Sequence, residues 1–239
     1  LAVKQFTDNA YERHLYSIHR SESLYAYRVN HYLPRLIKES RLIQQHVQQA
    51  GQSRSAYNDR VMLVGNELEK VQKWRPLPAG LEHVVSLQTR WNEATIQQIL
   101  DYLRTLRREQ ARKLNAVVSR KDSIIEGMAQ KYDLTELKER SHNRALANLV
   151  KRQHHRQTVI RKDHRLVRNF EPIYQKPSHP YGRAPFFGAV KKVGSRRIGT
   201  WWFNLGVLWF FVFILYGVLY FDGLRKLLGA SHLQGNSDA

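Results

Sequence analysis

The run Ile198–Phe221, IGTWWFNLGVLWFFVFILYGVLYF, constrains this chain more than any other feature. As a helix it is roughly 36 Å long, against a bilayer hydrocarbon core of about 30 Å. It reads as a transmembrane helix. Trp201 and Trp202 lie near one end, and Tyr216 and Tyr220 near the other. Amphipathic aromatics favour the two head-group layers, so these four form an aromatic belt. Lys191, Lys192, Arg196 and Arg197 precede the run and read as a polybasic lipid contact. Arg225 and Lys226 follow it and read as interface anchors. A core helix of a soluble protein would be shorter and would rarely carry such a belt. The position near the C-terminus excludes a secretory signal.

Asn204 is the one strongly polar side chain in the run. It either bonds to another membrane helix or lies shallow enough, about 9 Å from Ile198, to reach head groups. Gly206 and Gly217 do not make a small-xxx-small pattern.

The rest of the 239 residues belongs in water, because the mean hydropathy is only -0.54 and the net charge is +19. Lys151–Arg197 alone carries thirteen Lys/Arg against two acidic residues. Such an excess attracts phosphate, on lipid or on nucleic acid. Beside a membrane span, anionic lipid is the favoured partner. The stretch lacks the aromatic interleaving and the recognition patterns of nucleic-acid binders. There are no cysteines, which excludes disulfides, thiolate zinc sites and a cysteine nucleophile. The first thirty residues have no signal-peptide core, since Arg13, His14, His19, Arg20, Glu22 and Arg28 interrupt every apolar run. The start at Leu1 points to a piece of a longer polypeptide.

Spacing predicts an all-α fold: long antiparallel helices in a coiled-coil-like bundle, an irregular basic segment and one C-terminal transmembrane helix. The first helix is expected over Thr7–Gln49 with a kink or division at Pro34, and Ala50-Gly51-Gln52-Ser53 should end it. A second is expected over Ala56–Lys73, and a third over Leu81–Lys131, with Arg107, Arg108, Arg112 and Lys113 on its wet side. Asp133, with Glu136 three residues later, is a capping-box start for a fourth. From Lys151 onward, Pro172, Pro177, Pro180 and Pro185 predict irregular chain, with Tyr174, Tyr181, Phe186 and Phe187 packed on the bilayer surface or on helices. The divisions are residues 1–150, a soluble helical domain; 151–197, a basic juxtamembrane segment; 198–221, the span; and 222–239, a polar tail.

Catalytic signals are missing. There is no G-x-x-x-x-G-K-[ST] loop, no G-x-G-x-x-G and no G-x-S-x-G elbow. His142, His154, His155, His164 and His179 do not show metal-ligand spacing and read as part of a solvated basic face. Neither enzymatic activity nor a cofactor is expected of this chain.

Four segments carry a family resemblance: HNRALANLV (His142–Val150), FEPIYQKP (Phe170–Pro177), YGRAPFFG (Tyr181–Gly188) and TWWFNLGVLWFFVFILYGVLYFDGLRKLL (Thr200–Leu228). Together they resemble the end of large bacterial ABC transporters, in which an ATPase domain precedes a membrane domain of the G-subfamily type. Trp202, Phe203, Asn204, Leu215, Tyr216, Leu219, Tyr220, Phe221, Asp222, Arg225, Lys226, Leu227 and Leu228 match the form of that family's last membrane helix. The resemblance implies that Leu1–Arg197 is the insertion between the fifth and sixth membrane helices. It also implies partner helices of the same transporter, a homodimer or larger assembly, and ATP and Mg bound in the parent protein. The setting it implies is the bacterial inner membrane, with the soluble part periplasmic. Flanking charge points the other way, since four cations precede the span and two follow it.

The expected function is therefore a non-catalytic membrane-domain portion of an ABC-type exporter. The alternative is a membrane-anchored helical scaffold that binds anionic lipid or an acidic partner through its polybasic segment.

Overall fold

The computed structural model describes residues 2–48, 54–81, 91–152, 157–177 and 187–220. These divide into a unit spanning residues 2–175 and a C-terminal unit beginning at Lys176.

The first unit is built on two long helical stretches packed antiparallel. One comprises α1 (Ala2–Thr7), α2 (Ala10–Tyr27), a π-helical turn (Arg28–Tyr32) and α3 (Leu33–Gln48). The other is α5 (Glu93–Ala129). Gln48 reaches Glu93 at 2.6 Å, Arg28 reaches Gln110 at 3.0 Å and Lys121 reaches Glu22 at 2.6 Å. Residue numbers fall along one stretch as they rise along the other, which fixes the opposed direction. Between them in sequence comes α4 (Arg54–Val71). The smaller helices α6 (Leu134–Ser141) and α7 (Arg144–Lys151) follow α5.

Asparagine and aspartate caps decide where these helices begin. The first predicted helix breaks at Asn9, whose Oδ1 accepts from the Glu12 amide at 2.6 Å. The third does not run unbroken from Leu81. Trp91 and Asn92 are non-helical, and Asn92 caps α5 by accepting from the Thr95 amide at 2.7 Å. Asp133 caps α6 as expected, accepting from Thr135 at 2.9 Å and Glu136 at 3.2 Å. Asn143 then starts α7 separately, accepting from Leu146 at 3.0 Å. In each case a short side-chain oxygen satisfies an orphan amide of the first turn.

The predicted helix is divided just before Pro34 by the π-helical turn Arg28–Tyr32, and helical backbone continues through the proline. It has no amide hydrogen, and in a regular α-helix its ring would press on the carbonyl of Asn30. The chain widens into the π-turn just before it, with the Leu33 amide donating to the Arg28 carbonyl. In this wider register the carbonyl left facing proline is that of Val29. Arg107 Nε, across on α5, donates to it at 3.1 Å.

The main core joins α3, α4 and α5 through Leu33, Leu36, Ile43, Leu63, Val64, Leu68, Ile99, Leu103 and Leu106, all essentially inaccessible. A smaller cluster around Leu15, Ile18 and Met128 closes the far end of the helix pair. The seam between them is polar: buried Gln110 accepts from Arg28, whose guanidinium lies 3.8 Å from the Trp74 ring centre.

The expectation of irregular chain after Lys151 is corrected. Two β-hairpins occupy it: β1 (Val159–Lys162) with β2 (Arg165–Arg168), and β3 (Val190–Val193) with β4 (Arg196–Gly199), both antiparallel. The turns explain them. Asp163 and His164 both have positive φ, 48° and 52°, as a type I′ turn requires. In the second hairpin Gly194 takes φ 58° at the first central position, where glycine carries no steric cost. The first hairpin belongs to the helical unit and inserts Leu166 into its core. The stop at 49–53 and Tyr181 and Phe186 lie outside the described residues.

Candidate functional site

The C-terminal unit centres on α8 (Thr200–Tyr220), the described helix that is long and apolar enough to cross a membrane. It begins two residues later than the predicted span, because Ile198 and Gly199 are committed to β4. Its length is about 32 Å at the usual rise. Thirteen of its large apolar or aromatic side chains are exposed, from Trp202 at 62% to Tyr220 at 71%. They point in every direction around the helix. A surface-lying helix would have one polar face; this one has none, so it needs apolar surroundings on all sides.

The hairpin β3–β4 runs into α8 with no linker. Thr200, buried at the junction, donates from its amide to the Ala189 carbonyl at 3.0 Å and from Oγ1 to the Gly188 carbonyl. These two bonds tie the base of the hairpin to the first turn of the helix. Across the ladder Lys192 stands directly opposite Arg197, and Lys191 opposite Ile198. Alternation therefore puts Lys192 and Arg197 on one face and Lys191 and Arg196 on the other. Like charges opposed across a ladder destabilise it. Cations at a helix N-terminus also meet the positive end of the macrodipole. The local geometry therefore does not favour Lys192 facing Arg197 at the start of α8.

Asn204 sits one turn into α8. Its Oδ1 accepts from Lys191 Nζ at 3.0 Å, and the same ammonium lies 4.3 Å from the Phe203 ring centre. The amide oxygen thus has a donor within its own unit and needs no second helix for one. Trp201 and Trp202 meet edge to face at 4.5 Å, and Tyr216 stacks on Tyr220 at 6.0 Å. Arg225 and Lys226, together with Phe221 and the tail 222–239, lie outside the described residues.

The basic excess of Lys151–Arg197 is only partly a solvated face. Arg168 donates to Ser23 Oγ at 2.6 Å and to the Phe170 carbonyl at 3.0 Å, and burial lowers its pKa to about 10. Arg161 pairs with Asp59. Lys151 lies 5.7 Å from the ring centres of Phe6 and Tyr174. These cations hold the first hairpin and the 3-10 turn Pro172–Tyr174 to the helices. Tyr174 is buried within the helical unit.

Sequence reasoning did not single out the buried carboxylates, of which Glu67 and Glu12 make the most contacts with the C-terminal part of this unit. Glu67 accepts from the Leu166 amide at 2.7 Å, from Lys70 Nζ at 3.1 Å and from the Tyr32 hydroxyl. Glu12 accepts from Tyr174 at 2.7 Å and meets His19 Nδ1 at 3.0 Å. Burial pushes the Glu12 pKa up. The bonds from His19 and Tyr174 and the charge of Lys151 outweigh that, so the net shift is below the ordinary value of 4.5. A depressed folded-state pKa contributes stability above the unfolded value and loses it as pH falls through the folded one. The unfolding midpoint is expected to drop on acidification below about pH 4.5, and Glu12→Gln to flatten that drop. Urea titrations of the two proteins between about pH 6 and about pH 3 check this; parallel curves would sink it.

Among the described residues no group of three or more His, Asp or Glu is placed to hold a metal ion. His154, His155 and His179 lie outside them. A scan against protein-family models finds no match, and searches of curated proteins and of solved structures find none either.

Proposed function

We propose that this chain is a non-catalytic membrane-domain portion of an ABC-type exporter in the bacterial inner membrane. ATP hydrolysis would come from a domain outside these residues. The observation that carries the reading is the apolar run from Thr200, with its Asn204 and its Leu215-Tyr216 … Leu219-Tyr220-Phe221-Asp222 … Arg225-Lys226-Leu227-Leu228 ending. The all-round exposure of α8 supports it, because such a helix is suited to packing among sibling membrane helices and lipid. In this reading the soluble unit is an accessory module on the periplasmic side, α2–α3 pack on α5 in coiled-coil fashion, and the protein works as a homodimer or larger assembly.

Purification of the tagged protein from its native membranes tests the assignment. A P-loop ATPase domain is expected in the same polypeptide or complex, and a preparation with no ATP-binding component would defeat it. Orientation has its own test, and these residues contribute no native cysteine to it. Ser119→Cys, on the exposed side of α5, is expected to react with a membrane-impermeant maleimide in spheroplasts, whereas Ser237→Cys in the tail is not. The reverse pattern would place the helical unit in the cytoplasm.

The hairpin favours a second reading, a membrane-anchored scaffold that binds anionic lipid. Lys192 and Arg197, opposed across β3–β4 at the start of α8, are suited to head groups, at about 1 kcal/mol per cation near an anionic surface.

A further inference from the structure

A second cationic feature, built from residues outside Lys151–Arg197, lies in the helical unit. A cleft of about 740 Å³ opens between α3 and α5 beside the π-turn. Five cations line it: Lys38 and Arg41 from α3, and Arg104, Arg107 and Arg108 from α5. The volume is in the range of small-molecule sites.

The sequence builds the cleft from two matching stripes. On α3 the lining positions are 34, 37, 38 and 41; on α5 they are 104, 107, 108 and 111. Both follow the i, i+3, i+4, i+7 spacing of a single helix face. Such a face is normally closed by apolar side chains. Here Val29, Pro34, Ile37 and Ala111 supply an apolar floor, and the cations stand around it.

Charge in the cleft is not balanced from within. Arg104 pairs with Asp101 at 2.8 Å, an exposed contact. Arg107 uses Nε on the Val29 carbonyl, which fixes its stem and leaves the outer edge of the guanidinium open. Lys38, Arg41 and Arg108 have no acidic partner among the described residues. The nearby Glu39 is buried and taken up by Arg35 and Arg60, at 3.0 Å and 2.8 Å. Like charges three and four residues apart repel, so the arrangement weakens both helices unless an anion sits among them. Guanidinium groups are matched to the paired oxygens of phosphate, and the floor offers a surface for carbon.

We infer that this cleft is a binding site for an organic phosphate: the phosphate among Arg41, Arg104, Arg107 and Arg108, its apolar part on Val29, Pro34 and Ile37. The ligand chemistry could be supplied by a phospholipid head group or by a free phosphate. The site is independent of the transporter reading, and its failure would leave that reading untouched.

Calorimetric titration of the full chain in phosphatidylcholine nanodiscs tests it. The probes are inorganic pyrophosphate, dihexanoyl phosphatidic acid and dihexanoyl phosphatidylcholine. Phosphatidic acid is expected to bind at least tenfold more tightly than phosphatidylcholine. The double variant Arg41→Ala/Arg108→Ala, at exposed positions, is expected to lose at least tenfold in affinity. Arg41→Lys/Arg108→Lys, which keeps charge but loses the planar forks, should fall between. Arg112→Ala removes the same charge from α5 outside the cleft and is expected to change affinity less than twofold. Pyrophosphate binding as tightly as phosphatidic acid, with the same sensitivity to the double variant, would support the phosphate site and assign its source as free phosphate. No binding of either anion by the wild-type chain, or an equal loss in Arg112→Ala, overturns the inference.

Discussion

Glu67→Ala is expected to destabilise the helical unit by about 3 kcal/mol, the largest single loss among the polar residues considered. The reason is what the carboxylate leaves behind. Its removal orphans the Leu166 amide and the Tyr32 hydroxyl, both in the interior, and leaves Lys70 with only the Leu166 carbonyl of its two hydrogen-bond acceptors. Each buried unpaired group costs roughly 1 to 3 kcal/mol. The lysine adds little, because it is about half exposed at 48% and solvent screens it. The damage should be local first. Leu166 is the core residue of the first hairpin, so its amide should lose hydrogen-exchange protection before those of α5. Glu67→Gln retains an acceptor for Leu166 but turns an amide toward Lys70, and should lose about half as much. Denaturant midpoints followed by tryptophan fluorescence measure the ranking. A loss under about 1 kcal/mol for Glu67→Ala, or an equal loss for Lys70→Ala, would show that the buried amide is not what the carboxylate serves.

Phe210→Arg is expected to abolish stable insertion of α8. Residue 210 is the midpoint of Thr200–Tyr220, and its side chain is 62% exposed. Arginine at a span centre costs about 2.5 to 3.5 kcal/mol on insertion scales, and the lost phenylalanine adds a few tenths. A total of about 3 to 4 kcal/mol lowers the inserted fraction by two to three orders of magnitude relative to the uninserted one. The same arginine at Trp202, beside the hairpin cations, should be far milder, since its head can snorkel to the interface. Carbonate extraction of membranes compares the two variants with the wild type. If both remain equally embedded, α8 does not contact lipid at its centre. Retention of Phe210→Arg alone would point to a polar partner there.

Much of this architecture could be read from the chain. The long apolar helix and the Asp133 cap rest on local rules, and those rules operate over a few residues. Helix existence was equally legible, because the apolar stripes of α2, α3 and α5 recur at helical spacing. Helix boundaries were less so. Asn9, Asn92 and Asn143 each start a helix inside a stretch that reads as continuous, and an asparagine in a polar sequence does not announce itself as a cap. The Pro34 π-turn was hidden for a related reason. Proline's steric rule does not say how the chain will accommodate it, and the Arg107 donor to the Val29 carbonyl comes from a distant helix.

The two hairpins show the limit more clearly. Asp163-His164 and Gly194-Ser195 are acceptable turn pairs, but four-residue strands flanked by lysine and arginine carry almost no apolar alternation. In the first hairpin Leu166, reaching the helical core, and the Glu67 bond supply what the strand pattern lacks. In the second, Thr200 fastens the base to α8. The cleft follows the same logic. Arg107 and Arg108 read as a wet face on α5, and they become a cation-lined site only because Lys38 and Arg41 arrive from the opposed helix.

The sequence by itself determined that one helix of this chain is long and apolar enough to cross a membrane, because its run has no polar face. It also determined that most of the chain before Lys151 is helical, because helical periodicity is written every three or four residues. Only the tertiary structure decided which charges are spent. The thirteen cations of Lys151–Arg197 look alike in sequence. Among the described ones, packing separates those that clamp a hairpin to helices, such as Arg161 and Arg168, from those left facing solvent, such as Arg196 and Arg197. That division depends on which carboxylates, carbonyls and rings lie within a few ångströms, and sequence separations of 102 and 145 residues carry no local trace of it.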